Sequence, residues 1–242
     1  KPDVVFHLAA YNQVLGSFSQ VEEVYQVNAL GSANVMDVVN GDSRVVYVSS
    51  SEVYGHQDHV PWHESMTPQP RSPYAITKYA GELHAVMLQK LGHPIQIVRP
   101  FNTYGPYQST RAVIPELIMK AMNGVPINTT FGEQTREFNY VSDIVAGMIA
   151  VAETEEIIPG PINLATGQEI KVSDLVTRIN ALCGNKSKWN PGAIPYRPNV
   201  IWRMCADYSK ASEKLSWRSK VSFEEGIAKT VEWFKQNGGQ CT

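Results

Sequence analysis

Five side chains have the types and spacing for proton and redox chemistry at an oxygen-bearing carbon: Ser50, Ser51 and Glu52 in one run, Tyr74 and Lys78 in another. In Tyr74-Ala-Ile-Thr-Lys78 the phenol and the ammonium are four positions apart, so on a helix they share one face. A nearby positive charge favours phenolate, and it is expected to bring the phenol down from its ordinary value near ~10 toward use as a base. Tyr-x-x-x-Lys alone is a weak signal, because many surface helices carry it by chance. Its neighbours strengthen it. Arg44-Val-Val-Tyr-Val-Ser49 predicts a buried strand ending in hydroxyls, and Ser72-Pro73 predicts a helix start with proline in the first turn.

The elements that must hold these residues alternate between strand and helix. Strands are expected at Val4–Ala10, Val45–Ser49 and Ile95–Arg99. Helices are expected at Val21–Val39, Pro73–Lys90, Ala112–Asn123 and Val141–Glu153, the last capped by Ser142-Asp143. Ser173-Asp174 opens a further helix to about Cys183, and Ser222-Phe-Glu-Glu225 forms a capping box for a last helix to about Asn237. Such alternation predicts a parallel sheet wrapped by helices. Beyond residue ~105 the periodicity loosens and Pro and Gly recur, as in Pro159-Gly-Pro161, which predicts a smaller lobe.

Composition narrows the class. A chain of 242 residues, 43% hydrophobic and 18% charged, has enough apolar sequence for a substantial core. A net charge of −2 without a basic stripe argues against nucleic acid as a partner. Cys183, Cys205 and Cys241 have no metal-ligand spacing and are expected as reduced thiols. His56, His59 and His63 share a loop but lack carboxylate or thiolate partners at ligand spacing, and His7 is expected to be a satisfied strand residue, so no metal site is expected. No apolar run is long enough to span a membrane, and a cytoplasmic location is expected.

Several runs in order carry a resemblance. They are Pro2-Asp-Val-Val-Phe-His-Leu-Ala-Ala10, Asn28, Ser50-Ser-Glu-Val-Tyr-Gly55, and Ser72-Pro-Tyr74 with Lys78. Further along stand Arg99-Pro-Phe-Asn-Thr-Tyr-Gly-Pro106, Arg136-Glu-Phe138 with Asp143, and Arg197-Pro198 before Asp207-Tyr-Ser-Lys-Ala211. Over nearly its whole length the chain resembles the extended short-chain dehydrogenase/reductase family of nucleotide-sugar epimerases, dehydratases and decarboxylases. The resemblance implies an α/β fold, a Rossmann-like parallel sheet with a smaller C-terminal substrate-binding lobe. Residues 1–105 would be the remainder of the NAD-binding domain and 106–242 mainly the substrate lobe, with 138–165 returning to the first. The family's glycine-rich turn, which receives the cofactor pyrophosphate at a helix N-terminus, is not among the 242 residues. The expectation is truncation of a longer parent, with roughly 65–75 residues missing at ~30 per βαβ unit. A naturally shortened chain is the alternative, and it would expose a strand edge.

The resemblance also implies roles. Leu8, Ala9, Ala10, Asn28, Ser49, Tyr74, Lys78 and Pro100 would hold NAD, with NADP left open because the segment that reads the ribose 2′ position is absent. Asn102, Arg136 and Arg197 would hold a nucleotide-diphosphate sugar, the arginines on its phosphates. Ser50, Ser51, Glu52, Tyr74 and Lys78 would be catalytic. The first expectation is a 4,6-dehydratase in which Tyr74 serves oxidation at C4 and Glu52 serves loss of water. The alternatives are a 4-epimerase or uronate decarboxylase, or a non-catalytic protein derived from the family. Glucose-type dehydratases carry Thr-Asp-Glu where this chain has Ser50-Ser51-Glu52, so their acid is missing; mannose-type and nonulosonate-type dehydratases and uronate decarboxylases resemble it with Thr-Ser-Glu. Tyr107 stands where an arginine is common. A homodimer is implied through Val21–Val39 and Pro73–Lys90, and charges at Met36 and Val86 are expected to disrupt it.

Overall fold

A computed structural model describes residues 2–39, 43–197 and 200–238; Pro198 and Cys241 lie outside the described residues. In chain order the first half contains β1 (Val4–His7), α1 (Val21–Val24), a π-helical segment (Tyr25–Leu30), α2 (Gly31–Val39), β2 (Arg44–Val48), α3 (Pro73–Lys90), β3 (Ile95–Pro100), β4 (Thr103–Tyr104) and α4 (Val113–Met122). The second half contains β5 (Ile127–Thr129), β6 (Thr135–Glu137), β7 (Asn139–Tyr140), α5 (Val141–Ala152), β8 (Pro161–Leu164), β9 (Glu169–Lys171), α6 (Val172–Leu182), β10 (Trp189–Pro191), α7 (Ser209–Leu215) and α8 (Phe223–Asn237). The chain divides into two compact units. The first takes the residues up to Phe101, Ile144–Ala165 and Ala206–Arg218, and the second takes Asn102–Asp143, Thr166–Cys205 and the residues from Ser219 on.

The first unit is a parallel sheet in the order β1-β2-β3-β8, with Tyr47 level with His7 on one side and Ile97 on the other, and Arg99 level with Asn163. β2 is a near-continuous apolar run, as expected of a strand covered on both faces, whereas β3 carries Gln96 and Arg99 and β8 carries Asn163 among apolar neighbours. Alternate residues point to opposite faces, so Val45 and Tyr47 pack with Met36, Ala85 and Leu88 of α2 and α3. Val46 and Val98 pack the other way, with Ile144, Met148 and Val151 of α5, Ala211 of α7, and Trp217. Gly81 lets α3 lie close on β2: a Cβ there would stand 2.4 Å from the Tyr47 hydroxyl. The second unit has its own core, in which Ile114, Leu117 and Ile118 of α4, Leu175 and Ile179 of α6, and Ile227, Val231 and Phe234 of α8 pack together. Its strands are short pairs, β4 with β7, β6 with β9 and β5 with β10.

Four details differ from the sequence reading. Strand β1 stops at His7, leaving Leu8, Ala9 and Ala10 as loop. The expected helix Val21–Val39 carries a π turn at Tyr25–Leu30, the turn that buries Asn28. Ser142 and Asp143 lie inside the first turn of α5 instead of before it, and the Asp143 carboxylate accepts from Ser219 Oγ, Lys220 N and Val221 N. Met36 is 2% exposed in the core, with Val86 packed partly buried against it, so charges there would attack the fold and not an outer face.

Candidate active site

The site begins where β2 runs out. Ser50 is extended and caps the 3-10 turn Ser51–Tyr54, its Oγ accepting from Glu52 N at 3.2 Å. The cap fixes the backbone of Glu52 immediately beside Ser50. Gly55 ends the turn with φ 62°, and a Cβ there would fall 1.6 Å from the Gln69 carbonyl oxygen, so only glycine fits.

Helix α3 supplies the second half. Ser72 Oγ accepts from Ala75 N at 3.1 Å with Pro73 in the first turn, the start read from the sequence. Tyr74 is brought against the serine turn: its phenol is hydrogen-bonded with Ser50 and feels the Glu52 charge. The phenol's pKa nevertheless moves up, contrary to the expectation from its lysine. Burial raises it most, the Ser50 hydrogen bond opposes that, and Glu52 raises it further. Lys78 is directed elsewhere. Its Nζ lies 4.8 Å from the centroid of the Tyr47 ring and within the field of Glu82. Burial pulls the ammonium down to about 8, against the pull of Glu82. His7 is lowered by burial and by the Lys78 charge, and its Nε2 is 2.9 Å from Ser32 Oγ, so it is a satisfied strand residue.

The residues expected at the cofactor gather at the carboxyl ends of the same strands, where open α/β sheets bind ligands. Leu8 and Ala9 are exposed just past β1, Ser49 follows β2, and Pro100 ends β3. Asn28 is fully buried and joins two of these pieces: its Oδ1 accepts from Tyr11 N at 2.7 Å, and its Nδ2 donates to Tyr11 O at 3.0 Å and to Thr77 Oγ1 at 3.3 Å. The loop after β1 is thereby tied to the helix turn between Tyr74 and Lys78. Leu8 and Ala9 lie exposed where a dinucleotide would cross the strand ends, whereas Asn28, Ser49 and Lys78 are buried beneath. Among the described residues no cluster of three or more His, Cys, Asp or Glu could hold a metal ion.

Sequence reading gave no role to Glu82, Arg99, Tyr54 or Asn163, although Tyr54 and Arg99 stand in the runs that carry the resemblance. Glu82 Oε2 accepts from Ser49 Oγ at 2.7 Å and from Arg99 Nε at 3.0 Å, and Arg99 Nη2 reaches Oε1 at 2.5 Å. The Arg99 guanidinium lies 4.5 Å from the centroid of the Tyr54 ring, and Tyr54 donates to Asn163 Oδ1 at 2.7 Å. Burial opposes the Arg99 charge, but Glu82 more than compensates and raises its pKa. A signal was present: Glu82 is four residues after Lys78 on the same helix face, and Arg99 ends an apolar strand, so each needed a partner.

Asn102, Arg136 and Arg197 belong to the second unit. Asn102 Nδ2 donates to Glu137 O at 3.1 Å. Arg136 Nη1 donates to Thr135 O and Ile201 O, both at 2.7 Å. Tyr196 Oη accepts from Glu133 N at 3.1 Å and Trp202 O from Thr135 N at 2.8 Å, so the segment carrying the exposed Arg197 is fastened to the strand carrying Arg136.

Comparison with known proteins agrees with this architecture. Residues 1–230 match the family model described as GDP-mannose 4,6 dehydratase. The chain is 34% identical to dTDP-D-glucose 4,6-dehydratase of Mus musculus over 98% of its own length and 69% of that enzyme. The structure of epimerase Mth375 from Methanothermobacter thermautotrophicus superposes with a TM-score of 0.91 at 34% identity, covering 98% of this chain and 73% of that one. DesIV, a dTDP-glucose 4,6-dehydratase from Streptomyces venezuelae solved with NAD and TYD bound, gives 0.87 at 28% identity, covering 98% and 74%. The chain belongs to the extended short-chain dehydrogenase/reductase family of nucleotide-sugar dehydratases and epimerases, a family of NAD-dependent enzymes.

Proposed function

We propose that this chain binds NAD and a nucleotide-diphosphate sugar and acts as a 4,6-dehydratase. The observation that supports the reading is the Ser50-capped turn, from which the Glu52 charge reaches the Tyr74 phenol; in this reading Tyr74 is the base for O4 and Glu52 the base for C5. Leu8, Ala9, Ala10, Asn28, Ser49, Lys78 and Pro100 hold the cofactor, and Arg136 and Arg197 are the donors for the sugar's diphosphate. NAD, when bound, supplies the acceptor for the C4 hydride and its return to C6. Tyr74 takes the proton from O4, and Ser50 shares a hydrogen bond with that oxygen. The resulting ketone acidifies C5–H, and Glu52 removes that proton as the C6 hydroxyl leaves. Ser51 is no strong acid. Two protons leave the sugar, from O4 to Tyr74 and from C5 to Glu52; two return, one with the C6 hydroxyl as water and one to C5, so both side chains end as they began.

Glu52→Gln tests the reading. An epimerase never touches C5 and has no use for the carboxylate, whereas loss of a general base lowers a dehydratase by roughly 10²-fold to 10⁴-fold. The readout is water loss from the sugar nucleotide by mass spectrometry beside C4 inversion by NMR. Retained C4 inversion without water loss in both proteins would establish the epimerase instead.

The assembly is a homodimer through the outer faces of the π-helical segment and α3. Val27 is 37%, Leu30 52%, Leu83 52% and Met87 45% exposed, so these residues, and not Met36, present the apolar surface. Leu83→Glu with Met87→Glu is expected to move the sedimentation peak to that of a monomer while the helical circular dichroism stays unchanged. An unmoved peak would exclude this face.

A further inference from the structure

Lys78 is surrounded within the first unit. His7 faces it from β1, the Tyr47 ring from β2, and Glu82 from its own helix; Arg99 of β3 is paired with Glu82. Glu82 supplies the anion. Its carboxylate is 3% exposed, its two oxygens are taken by Arg99 and Ser49, and it is four residues from Lys78 on the same helix face. The same guanidinium rests on Tyr54, the residue that closes the turn carrying Ser51 and Glu52. One buried carboxylate thus connects the lysine, the hydroxyl at the end of β2 and, through Arg99, the catalytic turn.

We propose that Glu82, anchored by Arg99, is a positioning residue that keeps Lys78 an ammonium and holds it in register with the Ser49–Tyr54 turn. This rests on the proposed chemistry only in its consequence for turnover; the charge on Lys78 is measurable without substrate or cofactor. The burial that depresses Lys78 remains when Glu82 is neutralised, so the carboxylate's removal must lower the lysine's titration midpoint further. A purely structural Glu82 predicts the opposite sign, because loosening the helix would hydrate Lys78 and raise its midpoint toward ~10.4.

The experiment follows the lysine ¹³Cε resonances of the full chain by NMR against pH, with Lys78→Met identifying the signal. The parent midpoint is expected near 8. Glu82→Gln is expected to bring it down by roughly one unit, while Glu82→Asp, which retains the charge, stays closer to the parent. If Glu82→Gln does not fold, the apolar pair Glu82→Met with Arg99→Met replaces it, with a smaller downward shift expected because the guanidinium's repulsion is lost along with the carboxylate's attraction. A midpoint that stays or rises in whichever of these folds overturns the proposal. Turnover gives a separate arm: the alkaline limb of kcat that reports Lys78 moves down with the midpoint. If no variant, parent included, turns over a nucleotide sugar, the dehydratase reading fails while the NMR arm still decides the role of Glu82.

Discussion

Tyr74→Phe is expected to lower turnover by about 10³-fold while the protein stays folded, since general-base contributions run from roughly 10² to 10⁴. The variant removes one oxygen from a partly buried ring and leaves Ser50 without its phenol partner, a loss of about 1 kcal/mol. That is small beside a typical stability of ~5–15 kcal/mol. Steady-state kinetics with a thermal melt of the same sample separate the two effects. Because burial and Glu52 raise the phenol, the parent's kcat/KM should climb as pH rises above neutrality, and Tyr74→Phe should lose that climb. Turnover within tenfold of the parent would remove Tyr74 from the chemistry.

The second large effect concerns stability. Arg99→Met strips the cation from a carboxylate that is 3% exposed, and breaking a buried pair on one side costs about 3–5 kcal/mol. Removing both charges should restore most of it, because apolar pairs of similar volume often equal or exceed a buried ion pair. Urea unfolding of Arg99→Met and of Glu82→Met with Arg99→Met would show this. A loss below ~1 kcal/mol in the single variant would mean that Glu82 is hydrated or otherwise neutralised.

Local rules made much of this molecule legible. Ser72-Pro73 starts α3 as read, because an N-cap hydroxyl and a proline at the first turn act within one turn of chain. Ser222 likewise caps α8, accepting from Glu225 N at 3.2 Å. The strands β2 and β3 are evident from their mainly apolar runs, and the candidate runs Ser50-Ser51-Glu52 and Tyr74 with Lys78 are visible as spacing. Asn28 was found only through family likeness. Its fixing of Tyr11 and Thr77 depends on a π turn, which no periodicity announces.

The sequence by itself determined the reagents: a phenol, an ammonium, a carboxylate and hydroxyls on elements whose starts and stops are set by short-range capping and patterning. Tertiary structure decided what those reagents experience. It brought Ser50 and the Glu52 charge to bear on the Tyr74 phenol, turned Lys78 toward Tyr47 and into the field of Glu82, and paired buried Arg99 with that carboxylate. The reason is physical: a pKa is set by desolvation and by charges within a few ångströms, and those neighbours come from β1, β2, β3 and α3, segments that meet only when the sheet assembles.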